Sequence, residues 1–176
     1  ELVPAGREGD WRVNNVDRGD FSLEQVSCHR IWMAYEHTEL GAHCKLFNVL
    51  QARQRVLIFG LGLGLDTYVA SQVCEGGTIA TVECEQAVAN LVYPHIKDNT
   101  KALDCNLHVM RAKEFITSPS MLALYSTSFD IVWFDIFPGE ASQFGNAAGW
   151  ILKNITPFVH HGSHILFWSQ YDWWSL

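Results

Sequence analysis

The sequence lacks any long hydrophobic run. Its longest apolar stretches, Val56 to Gly60 and Ile131 to Phe134, are far shorter than the roughly 20 residues that span a bilayer. The start, Glu1-Leu2-Val3-Pro4, has neither the basic nor the apolar region of a secretory signal. The five cysteines are an odd number without a Cys-x-x-Cys pair, which is typical of free thiols in a reducing compartment. We therefore expect no membrane segment and an intracellular, cytoplasmic protein.

Basic residues are also scarce. The chain has 12 Lys and Arg against 19 Asp and Glu, which gives a formal net charge of −7. Binding nucleic acid without sequence preference needs clustered Lys and Arg that displace phosphate counterions. The composition therefore argues against a nucleic-acid partner, and only a local basic patch stays open.

No group of histidines or cysteines has the spacing of a known metal site. His160, His161 and His164 stand close together, and Cys28-His29 and His43-Cys44 form neighbouring pairs. Zinc needs three or four convergent ligands, usually at recognised spacings. We therefore expect no bound metal.

From residue 55 onward, short β-branched or aromatic runs alternate with amphipathic stretches. This pattern predicts βαβ units in an α/β fold with a doubly wound, Rossmann-like parallel sheet. The predicted strands are Arg55–Phe59, Thr78–Glu83, Asn106–Met110, Phe129–Phe134 and Ser163–Trp168. The predicted helices lie at about 64–75, 86–97, 113–125 and 141–155, and Pro94 is expected to end or bend the second.

Residues 1–54 have a different character. We expect turns up to Asp20 and helical structure from about Leu23 to Leu50, interrupted near Gly41. There is no repeat, low-complexity tract or linker in the chain. We therefore predict an N-terminal helical cap over 1–54 and a nucleotide-binding, Rossmann-like domain over 55–176.

A glycine turn follows the first predicted strand. Gly60, Gly62 and Gly64 come at alternate positions directly after Val56 to Phe59, and a helical stretch follows them. Glycine suits a tight turn that brings backbone N–H groups close to a ligand at the mouth of a sheet. The turn predicts a nucleoside-type ligand, with an ordinary strand-to-helix turn as the alternative.

An acid stands at the end of the second predicted strand. Glu83 lies about 20 residues beyond the turn, where a carboxylate accepts hydrogen bonds from the ribose hydroxyls of a bound nucleoside. The usual NAD fingerprint is Gly-x-Gly-x-x-Gly/Ala, and here the third glycine comes one residue earlier. This spacing favours S-adenosylmethionine, which has no phosphate to bind.

The fourth predicted strand also ends in an acid. Asp135 follows Phe129 to Phe134 and comes beside the first strand in a doubly wound sheet, at the edge where ligands bind. For an amine or guanidine acceptor, this carboxylate can hold the positive nitrogen, remove its proton and orient its lone pair toward an activated methyl carbon. The alternative role of Asp135 is to start the turn Asp-Ile-Phe-Pro.

Taken together, residues 55–170 resemble class I S-adenosylmethionine-dependent methyltransferases. The resemblance lies in the glycine turn, in Val82-Glu83-Cys84, in Phe129 to Pro138 and in a turn at Gly162. Members of this class usually continue past the fifth strand with a helix and two further strands. The resemblance therefore implies a sheet that lacks its last two strands.

Within that class, Asp135-Ile136-Phe137-Pro138 is similar to the Asp-x-aromatic-Pro element of guanidinoacetate methyltransferase and its arginine-methylating relatives. Glu83-Cys84 matches the Glu-Cys pair of this group, and Tyr35-Glu36-His37-Thr38 resembles its aromatic-Glu-Thr-Pro element. Met110-Arg111-Ala112 stands where the class commonly has Gly-Asp-Ala. The resemblance implies that Glu36 and Asp135 hold a cationic acceptor nitrogen. It also implies that Cys84, Ala112 and Asp135 join the glycines and Glu83 in binding S-adenosylmethionine.

Three functions follow from these residues. The first is an S-adenosylmethionine-dependent N-methyltransferase for a small cationic acceptor, an amine or a guanidine. The second is a non-catalytic methyltransferase-fold scaffold subunit, which Arg111 and an aromatic C-terminal edge favour. Such an edge suits an oligomer or larger assembly. It comprises Trp168, Tyr171, Trp173 and Trp174. The third is a spermidine synthase-like aminopropyltransferase, favoured by Ile58 two positions before the first glycine.

Overall fold

A parallel sheet and an antiparallel sheet organise the chain. The computed structural model describes residues 4–16, 20–28, 30–34, 43–136 and 141–168, and side chains over most of these ranges. In the N-terminal part, β1 (Gly6–Glu8), β2 (Trp11–Val16), β3 (Asp20–Gln25) and β4 (Arg30–Ala34) form an antiparallel sheet in chain order. A helix, α1, follows over residues 43–47.

Five strands form the parallel sheet. They are β5 (Arg55–Phe59), β6 (Thr78–Glu83), β7 (Asp104–Val109), β8 (Phe129–Phe134) and β9 (Val159–Phe167), in the order β7-β6-β5-β8-β9. The helices of this part are α2 (Leu65–Val73), α3 (Gln86–Lys97), α4 (Ala112–Thr117), α5 (Pro119–Tyr125) and α6 (Ala141–Ile155). From β5 the chain first adds β6 and β7 on one side of the sheet and then returns to add β8 and β9 on the other side. The predicted doubly wound α/β fold is therefore confirmed.

Both faces of the parallel sheet are buried. Val56 and Ile58 pack on the side of α1 and α2, whereas Leu57 and Phe59 pack on the side of α4, α5 and α6. Phe59 stacks on Phe134 of the neighbouring strand, with ring centroids 4.5 Å apart. Each fully buried side chain of this size contributes about 1.5–3 kcal/mol. This two-sided burial holds the carboxyl ends of the central strands in fixed register.

The predicted helical cap is wrong at residues 20–25 and 30–34, which form strands β3 and β4. Trp11, Val13 and Leu23 are buried in this antiparallel sheet. In β2, Trp11 and Val13 alternate with polar residues, which is the period of a strand with one buried face. Within the described part of the predicted helical stretch, residues 43–47 form an α-helix and Val26–Cys28 form one 3-10 turn. Gly41 lies outside the described residues.

One predicted helix and both outer strands of the parallel sheet differ in their bounds, and β7 covers Asp104–Val109 rather than Asn106–Met110. The helix expected at 113–125 is split into α4 and α5, because Ser118 before Pro119 is extended with ψ of 121°. Pro94 does not end its helix, since α3 continues to Lys97. The outer strand β9 begins at Val159 rather than Ser163.

Two further predictions concern the cysteines and the membrane. All five cysteines are free thiols, as expected from their number and spacing. No helix in the described part of the chain is both long and apolar enough to cross a membrane.

Candidate functional site

The glycine turn connects β5 to α2 through three residues with left-handed backbones. The φ angles of Gly60, Gly62 and Gly64 are 99°, 51° and 83°, a region that residues with a Cβ rarely adopt. The carbonyl of Leu61 accepts a hydrogen bond from the Gly64 N–H (2.7 Å), which closes the turn. The three alternate glycines are therefore needed by the backbone conformation itself.

Neighbouring elements also approach two of these glycines closely. A Cβ added to Gly60 would lie 2.1 Å from the carbonyl oxygen of Asp135. One added to Gly64 would lie 2.5 Å from Cδ1 of Ile96 in α3. The turn is thus held between the residue that follows β8 on one side and helix α3 on the other.

Glu83, the acid at the end of β6, is tied directly to this turn. Its Oε2 accepts a hydrogen bond from the Leu61 N–H (3.0 Å), and its Oε1 accepts one from the Glu85 N–H (2.9 Å). The residue is 8% exposed. Hydrogen bonds to a charged group contribute about 1.5–3 kcal/mol each, so Glu83 fixes the shape of the turn. Each oxygen keeps a second lone pair for a ligand hydroxyl.

Asp135 lies at the switch point of the sheet, as its place after β8 predicts. Its N–H donates to the carbonyl of Phe59 (2.8 Å), so the backbone stays paired to β5 up to the first residue of the turn. The side chain is half-buried. Asp135, Glu83 and the three glycines therefore meet at one carboxyl edge, where ligands of open α/β sheets bind.

The other predicted site residues have different positions. Cys84 is exposed directly after β6, and Ala112 is half-buried at the start of α4. Both follow strands at the same carboxyl edge of the sheet. Glu36 lies outside the described residues, as do Phe137 and Pro138. The pairing of Glu36 with Asp135 stays a prediction.

Partial desolvation is the main cause that raises the pKa of the Cys84 thiol to about 11. The nearby carboxylates of Glu83 and Glu85 act in the same direction. The Cys84 side chain is therefore a neutral thiol near pH 7.

Next to Asp135 lies a buried histidine–aspartate pair that the sequence did not predict as part of the site. Nδ1 of His43 in α1 lies 2.7 Å from Oδ1 of Asp66 in α2, and Oδ2 of Asp66 accepts a hydrogen bond from Nε1 of Trp133 (2.8 Å). The side chains of His43 and Asp66 are 1% and 5% exposed. One ring nitrogen of His43 and one carboxylate oxygen from each of Asp66 and Asp135 lie within 4.8 Å of one another.

Sequence spacing could not reveal this group, because its members come from three separate elements. The sequence signal for a buried acceptor such as Asp66 was Trp133, because the N–H of a buried indole needs a hydrogen-bond acceptor. A set of one imidazole and two carboxylates can also admit a metal ion. Both oxygens of Asp66, however, already take part in hydrogen bonds.

Comparisons with known proteins give a fold but no family. No family model matches the chain, and no curated protein does. Among solved structures, the chain is similar to TYW2 of Pyrococcus horikoshii in complex with MeSAdo, at 11% identity and a TM-score of 0.56, over 89% of this chain and 51% of that one. It is also similar to Aeropyrum pernix fibrillarin with natively bound S-adenosyl-L-methionine, at 17% identity and a TM-score of 0.53, over 94% of this chain and 76% of that one.

A third similar structure is the PRMT1 enzyme-prozyme heterotetramer of Trypanosoma brucei with AdoHcy, at 13% identity and a TM-score of 0.51, over 74% of this chain and 38% of that one. The chain thus spans about half the length of the TYW2 structure. At these identities the likeness shows the fold alone. That fold is the Rossmann-like α/β arrangement of class I methyltransferases, as the sequence predicted.

Proposed function

We propose that the chain is an S-adenosylmethionine-dependent N-methyltransferase for a small cationic acceptor, an amine or a guanidine. The observation that carries the proposal is the position of Asp135. Its backbone carbonyl fits against Gly60, in the space that a Cβ would occupy, at the switch point between β5 and β8. From this backbone position, the carboxylate of Asp135 can reach a ligand held by the glycine turn.

The turn and Glu83 support a nucleoside-bearing sulfonium as the cofactor. A ligand that lies against Gly60, Gly62 and Gly64 reaches backbone groups without a side chain in between. The free lone pairs of Glu83 are suited to ribose hydroxyls. Cys84 and Ala112, at the ends of the neighbouring strands, are proposed to line the same cofactor. The TYW2, fibrillarin and PRMT1 structures contain MeSAdo, S-adenosyl-L-methionine and AdoHcy, which agrees with this assignment.

Methyl transfer needs little covalent chemistry from the protein. The lone pair of the acceptor nitrogen attacks the methyl carbon, the carbon–sulfur bond breaks, and its electron pair returns to sulfur, which becomes a neutral thioether. A protonated amine loses one proton before this attack, which frees the lone pair, whereas a guanidinium loses one as the nitrogen–carbon bond forms. Asp135, with Glu36 as the second proposed carboxylate, holds and orients this nitrogen, because positioning supplies much of the rate enhancement in such a displacement.

Calorimetry with S-adenosylmethionine and a radiolabelled-methyl assay over a panel of amines and guanidines test the proposal. Asp135→Asn should abolish methyl transfer and leave S-adenosylmethionine binding intact. Asp98→Asn, at an exposed acid after α3, is the matched control and should be fully active. Glu83→Gln should weaken S-adenosylmethionine binding about 10- to 100-fold, because a hydrogen bond to a charged group contributes about 1.5–3 kcal/mol.

Full activity of Asp135→Asn would refute the role of that carboxylate. A well-folded sample that binds no S-adenosylmethionine would refute the enzyme and favour the scaffold subunit. Product masses after incubation with S-adenosylmethionine and with its decarboxylated form distinguish methyl from aminopropyl transfer. Assembly through the aromatic C-terminal edge stays a prediction, since Tyr171, Trp173 and Trp174 lie outside the described residues.

A further inference from the structure

One outer strand of the parallel sheet lacks the features that usually protect a sheet edge. β7 is the last strand on its side of the sheet, and no other described strand pairs with its outer side. Its six residues, Asp104–Val109, include no lysine and no proline, and its pairing with β6 has no bulge. Natural proteins use such features to prevent edge-to-edge pairing. The opposite outer strand, β9, has exposed histidines and a shift of register against β8.

We propose that β7 is a self-association surface, which pairs antiparallel with β7 of a second copy of this chain about a twofold axis at Asn106. The parallel sheets of the two copies then form one continuous sheet. The predicted aromatic edge, which begins at Trp168 after β9, lies at the other end of the sheet. This inference goes beyond the proposed methyltransferase function and does not depend on it.

The backbone of β7 defines which registers are possible. The Met110 N–H donates to the carbonyl of Glu83 in β6 (2.9 Å). Backbone groups alternate between the two sides of a strand, so those of Cys105 and Leu107 face away from the sheet. In a twofold pair centred on Asn106, Cys105 of one copy lies opposite Leu107 of the other. These two residues can therefore exchange both of their outward hydrogen bonds, and the symmetry repeats the exchange.

The side chains are complementary in the same register. Leu103 of one copy lies opposite Val109 of the other, and these apolar side chains are 76% and 37% exposed in the single chain. On the other face, Asp104 is the charged residue of the strand, and it lies opposite the imidazole of His108 rather than opposite a second carboxylate. Cross-strand pairs of these two kinds stabilise a sheet, whereas like charges that face each other destabilise it. The exposed apolar surface and the charge pattern both favour a second copy as the occupant.

One side chain already contacts this edge. The Tyr93 hydroxyl of α3 donates a hydrogen bond to the carbonyl of Cys105, which is one of the outward groups. A carbonyl oxygen has two lone pairs, so the same oxygen can also accept the Leu107 N–H of the second copy. Tyr93 therefore lies at the border of the interface, on the side of α3.

The first experiment measures self-association by sedimentation equilibrium. The wild type should form reversible dimers at concentrations up to about 0.5 mM, because an interface of one strand pair is small. Leu103→Lys should raise the dissociation constant of the dimer about 10-fold or more, because a lysine on an edge strand opposes pairing and each dimer contains the change twice. Leu152→Lys, at a leucine of α6 that is 45% exposed, is the matched control and should leave the constant unchanged. Circular dichroism checks that both variants fold.

The second experiment tests the register. Residues directly opposite each other in antiparallel strands have Cα atoms about 4.5–5.5 Å apart, which is within the range of a disulfide. Asn106→Cys should therefore form a disulfide between two copies under mild oxidation. Peptide mass spectrometry must identify the link between the two positions 106, because the five native cysteines are also free thiols. His161→Cys, at an exposed position of β9, is the matched control and should form no such link.

The outcomes decide the proposal without any measurement of turnover. Dimers that dissociate in Leu103→Lys and link through position 106 in Asn106→Cys support it. A wild type that stays monomeric up to about 0.5 mM overturns it. Equal dissociation constants for the wild type and Leu103→Lys overturn it as well, as does cross-linking of His161→Cys at the yield of Asn106→Cys. A failure to bind S-adenosylmethionine would overturn the proposed function and leave this result unchanged.

Discussion

Three glycine-to-alanine substitutions test how firmly Asp135 is held against the turn. At Gly60 the added methyl group meets two obstacles, a φ of 99° and the carbonyl oxygen of Asp135 at 2.1 Å. At Gly162 the added methyl group meets only the unfavourable backbone angle, with φ of 95°, and no other atom lies within 4 Å of it. At Gly149, exposed in α6, it meets neither.

These differences give an ordered set of stabilities. A left-handed backbone costs a residue with a Cβ about 1–3 kcal/mol, which is the expected loss for Gly162→Ala. Overlap with a packed neighbour adds about 1–3 kcal/mol, so Gly60→Ala should lose about 2–6 kcal/mol. Gly149→Ala should gain about 0.4–1 kcal/mol, because alanine restricts the unfolded chain at a compatible helical position.

Urea unfolding followed by circular dichroism measures all three free energies. The reasoning about the turn fails if Gly60→Ala and Gly162→Ala lose the same amount. Equal losses would mean that the Asp135 carbonyl moves away without cost, and that the carboxyl ends of β5 and β8 are not held together.

Two further predictions concern titratable groups. Burial lowers the pKa of His108 below its usual 6.5, so the unfolded chain takes up this proton first as the pH falls. The free energy of unfolding should therefore decrease below about pH 6.5, and His108→Gln should reduce that slope; an unchanged slope would contradict the assignment. The raised pKa of Cys84, about 11, should make its alkylation at pH 8 slower than that of the exposed Cys28, as peptide mass spectrometry can measure; equal rates would refute this.

The sequence predicted the interior strands better than the outer ones. The predicted bounds of β5, β6 and β8 are those observed, because each is covered on both faces and has a strand on either side. The outer strand β9 pairs with β8 alone in the described sheet, so it tolerates exposed polar residues at its start, such as His160. A prediction based on hydrophobic runs therefore missed the first part of β9.

The N-terminal sheet and the histidine pair show two other limits of sequence reasoning. Apolar residues such as Ile31 stand at positions that fit a helix as well as a strand, and their pairing partners decide between the two. Acids that end parallel strands are predictable, because those ends meet at one edge. His43 and Asp66 are not, since only the packing of α1 against the sheet brings them together.

The leucines between the glycines belong to a second core. Leu61 and Leu63 are buried against Trp11, Val13 and Leu23 of the antiparallel sheet. Residues 55–176 alone would leave these leucines packed only against residues of α3, such as Val92 and Ile96. A cavity-forming change in the antiparallel sheet, such as Val13→Ala, should therefore loosen the glycine turn, because this sheet supports the turn from the side opposite the proposed ligand.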